Sequence, residues 1–428
     1  MKIYCSGIGG IGLSAYAALQ AQSGHEVLGS DRAESPLLDE LRAQGIAVFL
    51  NQDGSHVPND CDLFVYSEAI PMDAPEREKA SACGIPMQSY FQALGDMTRG
   101  KNVIAVCGTH GKSSTTAMAA RLLIEAGMDP SVIVGTKTND LQGRNWRKGE
   151  SEFFVLEACE YRRSFHFLSP SIVLMTNVDG DHFDAFASLE EYRDAFVTFL
   201  KRLPEEGSVI AHGADGDSWN VAEQSGRATI DADAFPLPKL SVPGMHMRQN
   251  ARLVLALAKH LGIEEKLTAE ALLGFQGTWR RMEVKGDVPG GITVIDDYAH
   301  HPVEIRATLA AMKEAYPQRR LVCVFQPHTH DRTLKLYDAF VHAFFDAGLV
   351  MIPGIYNARS DIETKMVDVS KFVADIAEQS KTKCVEVEGL EDAIPALQRL
   401  LQPGDVLIFM GAGDIAKLPA KMLAPTLP

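Results

Sequence analysis

The run Gly108-Thr109-His110-Gly111-Lys112-Ser113-Ser114 follows the apolar stretch NVIAV and precedes the helix-forming TTAMAARLLIEAG. In a strand–loop–helix setting, the backbone amides of such a loop cradle phosphates. The lysine reaches the β and γ oxygens, and the next hydroxyl can hold Mg²⁺. Lys112 and Ser113 are therefore candidates for nucleotide and metal contacts. The run departs from the standard pattern in one place: Val106 stands where a glycine is expected. Glu157 closes EFFVLEA, and Asp181-His182 follow IVLMTNVD. Both lie just past the carboxyl ends of strands, where open α/β sheets keep their ligands. A lone Glu or His is more often surface or core. Beside a phosphate loop, Glu157 and His182 become candidates for a second Mg²⁺.

A second glycine turn, Gly7-Ile8-Gly9-Gly10-Ile11-Gly12, follows a first strand and opens a helix. Missing side chains there let amides meet a pyrophosphate, and Asp31, about 20 residues on, could bond a ribose. A tight structural turn and an NAD site are the competing readings. Further along, His246 and Asn250 stand four apart on one face of an expected helix. Arg280-Arg281 are either solvated charge or stabilisers of a migrating phosphate. Asp296-Asp297-Tyr298-Ala299-His300-His301-Pro302 crowds polar side chains after the strand GITVI, and Gln326-Pro327-His328 with Arg332 follows another strand end. A zinc site in the first of these clusters would need a ligand from elsewhere. One shared cleft at a sheet edge is the expectation for both.

The elements that must position these residues read as α/β throughout. Short apolar strands alternate with helical stretches, which argues for parallel sheets. Three blocks emerge: 1–97, 98–286 and 287–428. The segment 203–243, rich in Pro, Gly and Asp, reads as loops and short strands, and TWRRMEVKG closes the second block. With 428 residues and 46% hydrophobic content the chain can bury several cores. The net charge of −15 argues against nucleic acid as a partner. No run of about 18 apolar residues appears, so no membrane span is expected. MKIYCSGIGG reads as a first strand rather than a signal peptide. Seven scattered cysteines without a CxxC pair suit reduced thiols in the cytoplasm.

In order and spacing, GIGGIGLSA, GTHGKSSTT, EACEYRRSF, TNVDGDHFDAF, FQGTWRRMEVKG, DDYAHHPVEI and VFQPHTHDRT resemble the Mur ligase family over essentially the whole chain. GIGGIG, DDYAHHP and QPH are similar to its alanine-adding branch. The resemblance implies a Rossmann-like UDP-binding domain, a central P-loop ATPase with a mainly parallel sheet, and a C-terminal Rossmann-like domain. It implies that ATP, with Mg²⁺, phosphorylates the lactyl carboxylate of UDP-N-acetylmuramate. The amine of L-alanine then attacks the acyl phosphate, leaving an amide, ADP and phosphate, in the synthesis of peptidoglycan precursor. Carried over by position, Gly7, Gly9, Gly10, Gly12, Asp31 and Ser67 face UDP. Gly108, Thr109, His110, Gly111, Lys112, Ser113, Ser114, His246, Asn250, Arg281 and Asp297 face ATP, and Ser113, Glu157 and His182 hold metal. Tyr298, His300, His328 and Arg332 line the amino-acid side. Lys112, Arg281, His300 and Arg332 carry the chemistry. Four departures stand out: Ser113 for Thr, Cys159 for Asp, Met247 for Asn, and Thr329 for Arg after QPH. A monomer or homodimer is expected.

Three rivals remain at this point. One is a recycling ligase attaching a tripeptide to the same sugar, against which QPH and IYNARSD argue. The second is a nicotinamide oxidoreductase, which leaves GTHGKSS unexplained. The third is a P-loop switch without ligase chemistry, which leaves the first glycine turn idle.

Overall fold

The computed structural model describes residues 1–180, 185–356 and 366–424. Their strands form three sheets. The first takes β1 (Lys2–Ser6), β2 (Glu26–Ser30), β3 (Ala47–Phe49), β4 (Leu63–Tyr66) and β5 (Met87–Ser89), in the order β3-β2-β1-β4-β5, all parallel. The second takes β6 (Asn102–Cys107), β7 (Ser131–Thr138), β8 (Arg144–Arg147), β9 (Phe153–Glu157), β10 (Ile172–Met175), β11 (Ser208–Ala211) and β12 (Ala228–Asp231), in the order β12-β11-β10-β6-β9-β7-β8. Only β8 there runs antiparallel to its neighbour. The third takes β13 (Glu283–Val288), β14 (Ile292–Asp297), β15 (Leu321–Phe325), β16 (Leu349–Ile352), β17 (Lys383–Glu386) and β18 (Val406–Met410), in the order β13-β14-β18-β15-β16-β17.

The central strands read as unbroken apolar runs because helices cover both faces of a parallel sheet. NVIAVC of β6 and VLIFM of β18 are buried almost end to end. By its contacts the chain falls into two compact units. The first, 1–240 with 249–276, holds the first two sheets around one core that runs from Ile3 to Ala222. The second, 241–248 with 277–428, holds the third sheet, with an apolar cluster on each face.

Two sequence readings need adjusting. The segment 203–243 contains the helix Gly216–Gln224 as well as β11 and β12. That helix buries only Ser218, Val221 and Ala222, too short an apolar stripe to show a helical period. The stretch EVKGDV, taken as the end of the second block, is β13. It pairs antiparallel with β14 from Glu283↔Asp296 to Val288↔Ile292. As a half-exposed edge strand it lacks the apolar run that marks its neighbours.

Candidate functional site

In the first unit the loop Gly108–Gly111 leaves β6 and enters the helix Lys112–Glu125. Gly108 and Gly111 adopt φ of +128° and +81°, which side chains other than glycine's rarely tolerate. A methyl on Gly111 would also meet the Asn250 Oδ1 at 2.7 Å. Asn250, buried on the helix Met245–His260, therefore packs directly on the loop. The loop is braced from β10's end: Asn177 Oδ1 accepts from the His110 amide at 2.8 Å. Thr109 Oγ1 donates to the Asp179 carbonyl at 2.6 Å and lies 2.9 Å from the Tyr192 hydroxyl.

Lys112 folds back over its own loop. Its ammonium donates to the Gly108 and Thr109 carbonyls at 2.6 and 3.0 Å and to the Glu160 carboxylate at 3.0 Å. Glu160 is fully buried. Burial disfavours the Lys112 charge, but Glu160 and the other groups around it more than offset this and hold the lysine above its ordinary range. Burial, then Glu160, pushes the Cys159 thiol up to about 12, so it stays protonated beside the lysine. Ser113 Oγ donates to Glu157 Oε2 at 2.7 Å, and the Gly135 amide reaches the same oxygen at 3.0 Å. A hydroxyl and a carboxylate oxygen so close, beside a phosphate loop, are the hard oxygen donors that Mg²⁺ takes, so the donor set fits that ion. His182 lies outside the described residues. Among the described residues no group of three or more His, Cys, Asp and Glu side chains is arranged to hold a metal.

The first glycine turn is likewise built from backbone. The amides of Gly7 and Ile8 donate to the Ser30 carbonyl at 2.8 and 2.9 Å, and the Ser67 amide donates to the Ser6 carbonyl at 3.0 Å. Asp31 points inward: its Oδ2 accepts from the Gly9 amide at 2.9 Å and its Oδ1 from the Arg32 amide at 2.8 Å. The carboxylate thus closes the turn itself. A side chain on Gly12 would strike the Tyr90 ring at 2.8 Å, and one on Gly7 the Ser67 Cβ at 2.9 Å. Asn145 donates to the Ile11 carbonyl at 2.6 Å and ties the turn to the second sheet.

In the second unit, β14, β18 and β15 run parallel and end on one edge. Tyr298 and His300 follow β14, and His328 follows β15. The ring centres of His300 lie 5.2 Å from Tyr298 and 6.1 Å from His328, and His328 lies 5.5 Å from Tyr356. The two polar clusters of the sequence do meet. Arg281 stands over the Tyr298 ring at 5.2 Å and 3.6 Å from Glu304. Burial, then Arg281, drops His246 to about 4, which leaves its imidazole neutral at pH 7. Arg332 sits in the first turn of the helix His330–Lys335, capped by Thr329 at the unusual φ of +66°.

Other residues of these clusters serve the fold. Asp296 pairs with the buried Arg280, whose guanidinium also donates to the Gly411 carbonyl at 2.7 Å. Asp297 accepts from the amides of Met282 and Ala299 at 2.7 and 2.8 Å, and burial lifts its carboxyl to about 6. His301 caps the helix Pro302–Ala315 in a capping box with Glu304. Gln326 accepts from the Ile415 amide at 3.1 Å, and Met247 is buried core.

Sequence reasoning missed Glu160, Tyr192, Asn177, Glu304 and Tyr356. Glu160 stood inside EACEYRRSF, and Glu304 had a legible signal as the third helical residue after His301. Tyr356 stood inside IYNARSD, and nothing local singled out Tyr192.

Three family models match in turn: "Mur ligase family, catalytic domain" over 2–102, "Mur ligase middle domain" over 106–235, and "Mur ligase, glutamate ligase domain" over 280–413. The chain is 37% identical to the UDP-N-acetylmuramate–L-alanine ligase of Clostridium novyi, over 97% of this chain and 96% of the relative. It is 38% identical to that of Lachnospira eligens, over 99% and 98%. The crystal structure of UDP-N-acetylmuramate-alanine ligase from Thermotoga maritima superposes with a TM-score of 0.82 at 29% identity, covering 99% of this chain and 98% of that one. This chain therefore belongs to the Mur ligase family.

Proposed function

We propose that this protein joins L-alanine to the lactyl carboxylate of UDP-N-acetylmuramate, with ATP driving the step through an acyl phosphate and leaving ADP and phosphate. The observation that carries the reading is the loop Gly108–Ser113, with Lys112 held charged beside Glu160 and Ser113 bonded to Glu157, in a chain similar along its length to ligases so named. A carboxylate does not condense with an amine at neutral pH without an activated leaving group, which explains the need for a phosphoryl donor. Two anions must meet in that transfer, so charge has to be neutralised where they meet. The Lys112 ammonium and the loop amides supply this at the nucleotide, and Ser113, Glu157 and His182 would hold Mg²⁺. When bound, that ion would screen the phosphate oxygens and template their geometry.

In this reading the blocks expected over 1–97, 98–286 and 287–428 serve the sugar nucleotide, ATP and the amino acid, with the second boundary moved back to the start of β13 at Glu283. Gly7, Gly9, Gly10 and Gly12 form the side-chain-free turn that lets the UDP pyrophosphate approach the N-terminus of the helix Ile11–Gln22, with Asp31 and Ser67 beside them. His246, Asn250 and Arg281 bound the nucleotide. Tyr298, His300, His328 and Arg332 receive L-alanine: Arg332 takes its carboxylate in a bidentate fork, and a neutral His300 accepts the proton that the amine must lose. The protein would work in the cytoplasm as a monomer or homodimer, and no helix among the described residues is long and apolar enough to cross a membrane.

The test is ADP release with ATP, Mg²⁺, UDP-N-acetylmuramate and a panel of acceptors that includes L-alanine and the cell-wall tripeptide. ADP should appear only when sugar nucleotide and L-alanine are both present. Equal ATP turnover without the sugar nucleotide, or a preference for the tripeptide, overturns the reading.

A further inference from the structure

Beneath the first glycine turn lies a carboxylate that the reaction does not use. Glu76, in the first turn of the helix Pro75–Ala82, is 1% exposed. It accepts three hydroxyl bonds: from Tyr4 at 2.6 Å, Ser6 at 2.5 Å and Ser30 at 2.8 Å. Ser6 and Ser30 are register partners at the carboxyl ends of the parallel strands β1 and β2, so their side chains leave the sheet on one face. Their carbonyls are the acceptors that shape the turn. The Ser30 carbonyl takes the amides of Gly7 and Ile8, and the Ser6 carbonyl takes that of Ser67. Gln52 adds a bond to Ser30 Oγ at 3.2 Å. A buried carboxylate is costly unless its oxygens are satisfied, and here each of its three partners is a hydroxyl from the sheet.

We infer that Glu76 is a positioning residue for the sugar nucleotide: by clamping Ser6 and Ser30 it fixes the two carbonyls to which the amides of Gly7, Ile8 and Ser67 are tied, and so holds the backbone of the turn that delivers the open N-terminus of the helix Ile11–Gln22 to an anionic ligand. The inference rests on the UDP-binding reading of that turn. Its energetic logic is preorganisation, since a turn already held in place loses less freedom when a pyrophosphate arrives. Tyr4 marks the contrast. It bonds the same carboxylate from two residues before Ser6, one pleat further from the turn.

The experiment measures binding of UDP-N-acetylmuramate by calorimetry, steady-state KM and kcat for each substrate, and thermal midpoints. Glu76→Ala should weaken the sugar nucleotide about tenfold in Kd and KM while the KM values for ATP and L-alanine stay put. Glu76→Gln, which keeps an acceptor for the serine hydroxyls, should recover most of that loss. Ser30→Ala is the milder variant should Glu76→Ala fail to fold, and it should raise the same Kd. Tyr4→Phe should lower the thermal midpoint without moving the Kd. If Glu76→Ala and Ser30→Ala lose only thermal stability, with unchanged sugar-nucleotide Kd, Glu76 is structural and the inference fails. If the wild-type protein does not bind UDP-N-acetylmuramate at all, the functional reading of the turn fails first.

Discussion

Replacing Lys112 by alanine should strike stability and activity through two separable routes. The Lys112 ammonium lies 3.0 Å from a carboxylate with no solvent exposure, and its own side chain is only 12% exposed. Two such charges attract by roughly 5 kcal/mol at an effective dielectric near 20, offset by the cost of burying both. Removing one partner strands the other, which typically costs about 3–5 kcal/mol. For a unit of this size that lowers the thermal midpoint by roughly 6–10 °C. Removing a charge aimed at the transferring phosphate should, independently, slow turnover about 10²–10³-fold. The double variant Lys112→Ala/Glu160→Gln separates the two. It removes the stranded carboxylate, so most of the thermal loss returns, while turnover stays low. Because Lys112 titrates above its ordinary value when folded, its contribution is fully present at neutral pH and is lost only as pH rises past the ordinary lysine range. The assays are ADP release and thermal unfolding at pH 7.5. A Lys112→Ala protein with an unchanged midpoint, or a double variant as unstable as the single one, would refute the stranded-charge argument.

Three further outcomes are expected. His246 is held near pKa 4, so it binds fewer protons folded than unfolded, and stability should fall as pH drops from about 6.5 towards 4; His246→Phe should flatten that part of a midpoint-against-pH profile, and an unchanged slope would show that other groups cause it. Glu157→Ala and Ser113→Ala should each raise the Mg²⁺ concentration for half-maximal activity about tenfold; identical Mg²⁺ titrations in wild type and both variants count against a metal there. Arg332→Ala should raise the KM for L-alanine and leave that for ATP unaltered, and in a panel of amino acids glycine and L-serine should trail alanine by no more than about 1–3 kcal/mol in apparent discrimination; a bulky or acidic acceptor that outperforms alanine would overturn this assignment.

The chain's own order of residues determined which segments become strands, where each glycine turn falls, and which polar residues stand at strand ends. These are local properties: a buried parallel strand must be a run like NVIAVC, and a turn with φ of +81° must be glycine at Gly111. It also marked Lys112, Ser113 and Glu157, whose chemistry follows from loop position. Tertiary structure alone decided which carboxylate meets which cation. Lys112 is tied to Glu160, 48 residues away, through the adjacency of β6 and β9. Asp31 and Asp297, read from the sequence as facing ligands, also accept from the backbone amides of Gly9, 22 residues away, and of Met282, 15 residues away. Asp and Glu at a strand end look alike in a sequence whether they face solvent, ligand or backbone. The choice is made by which donors the packing leaves within about 3 Å, and that depends on neighbours far away in the chain. Glu76 shows the same limit. In APEREKA it looks like one more solvated charge on a helix, and only the register of β1 on β2 brings Ser6 and Ser30 under it.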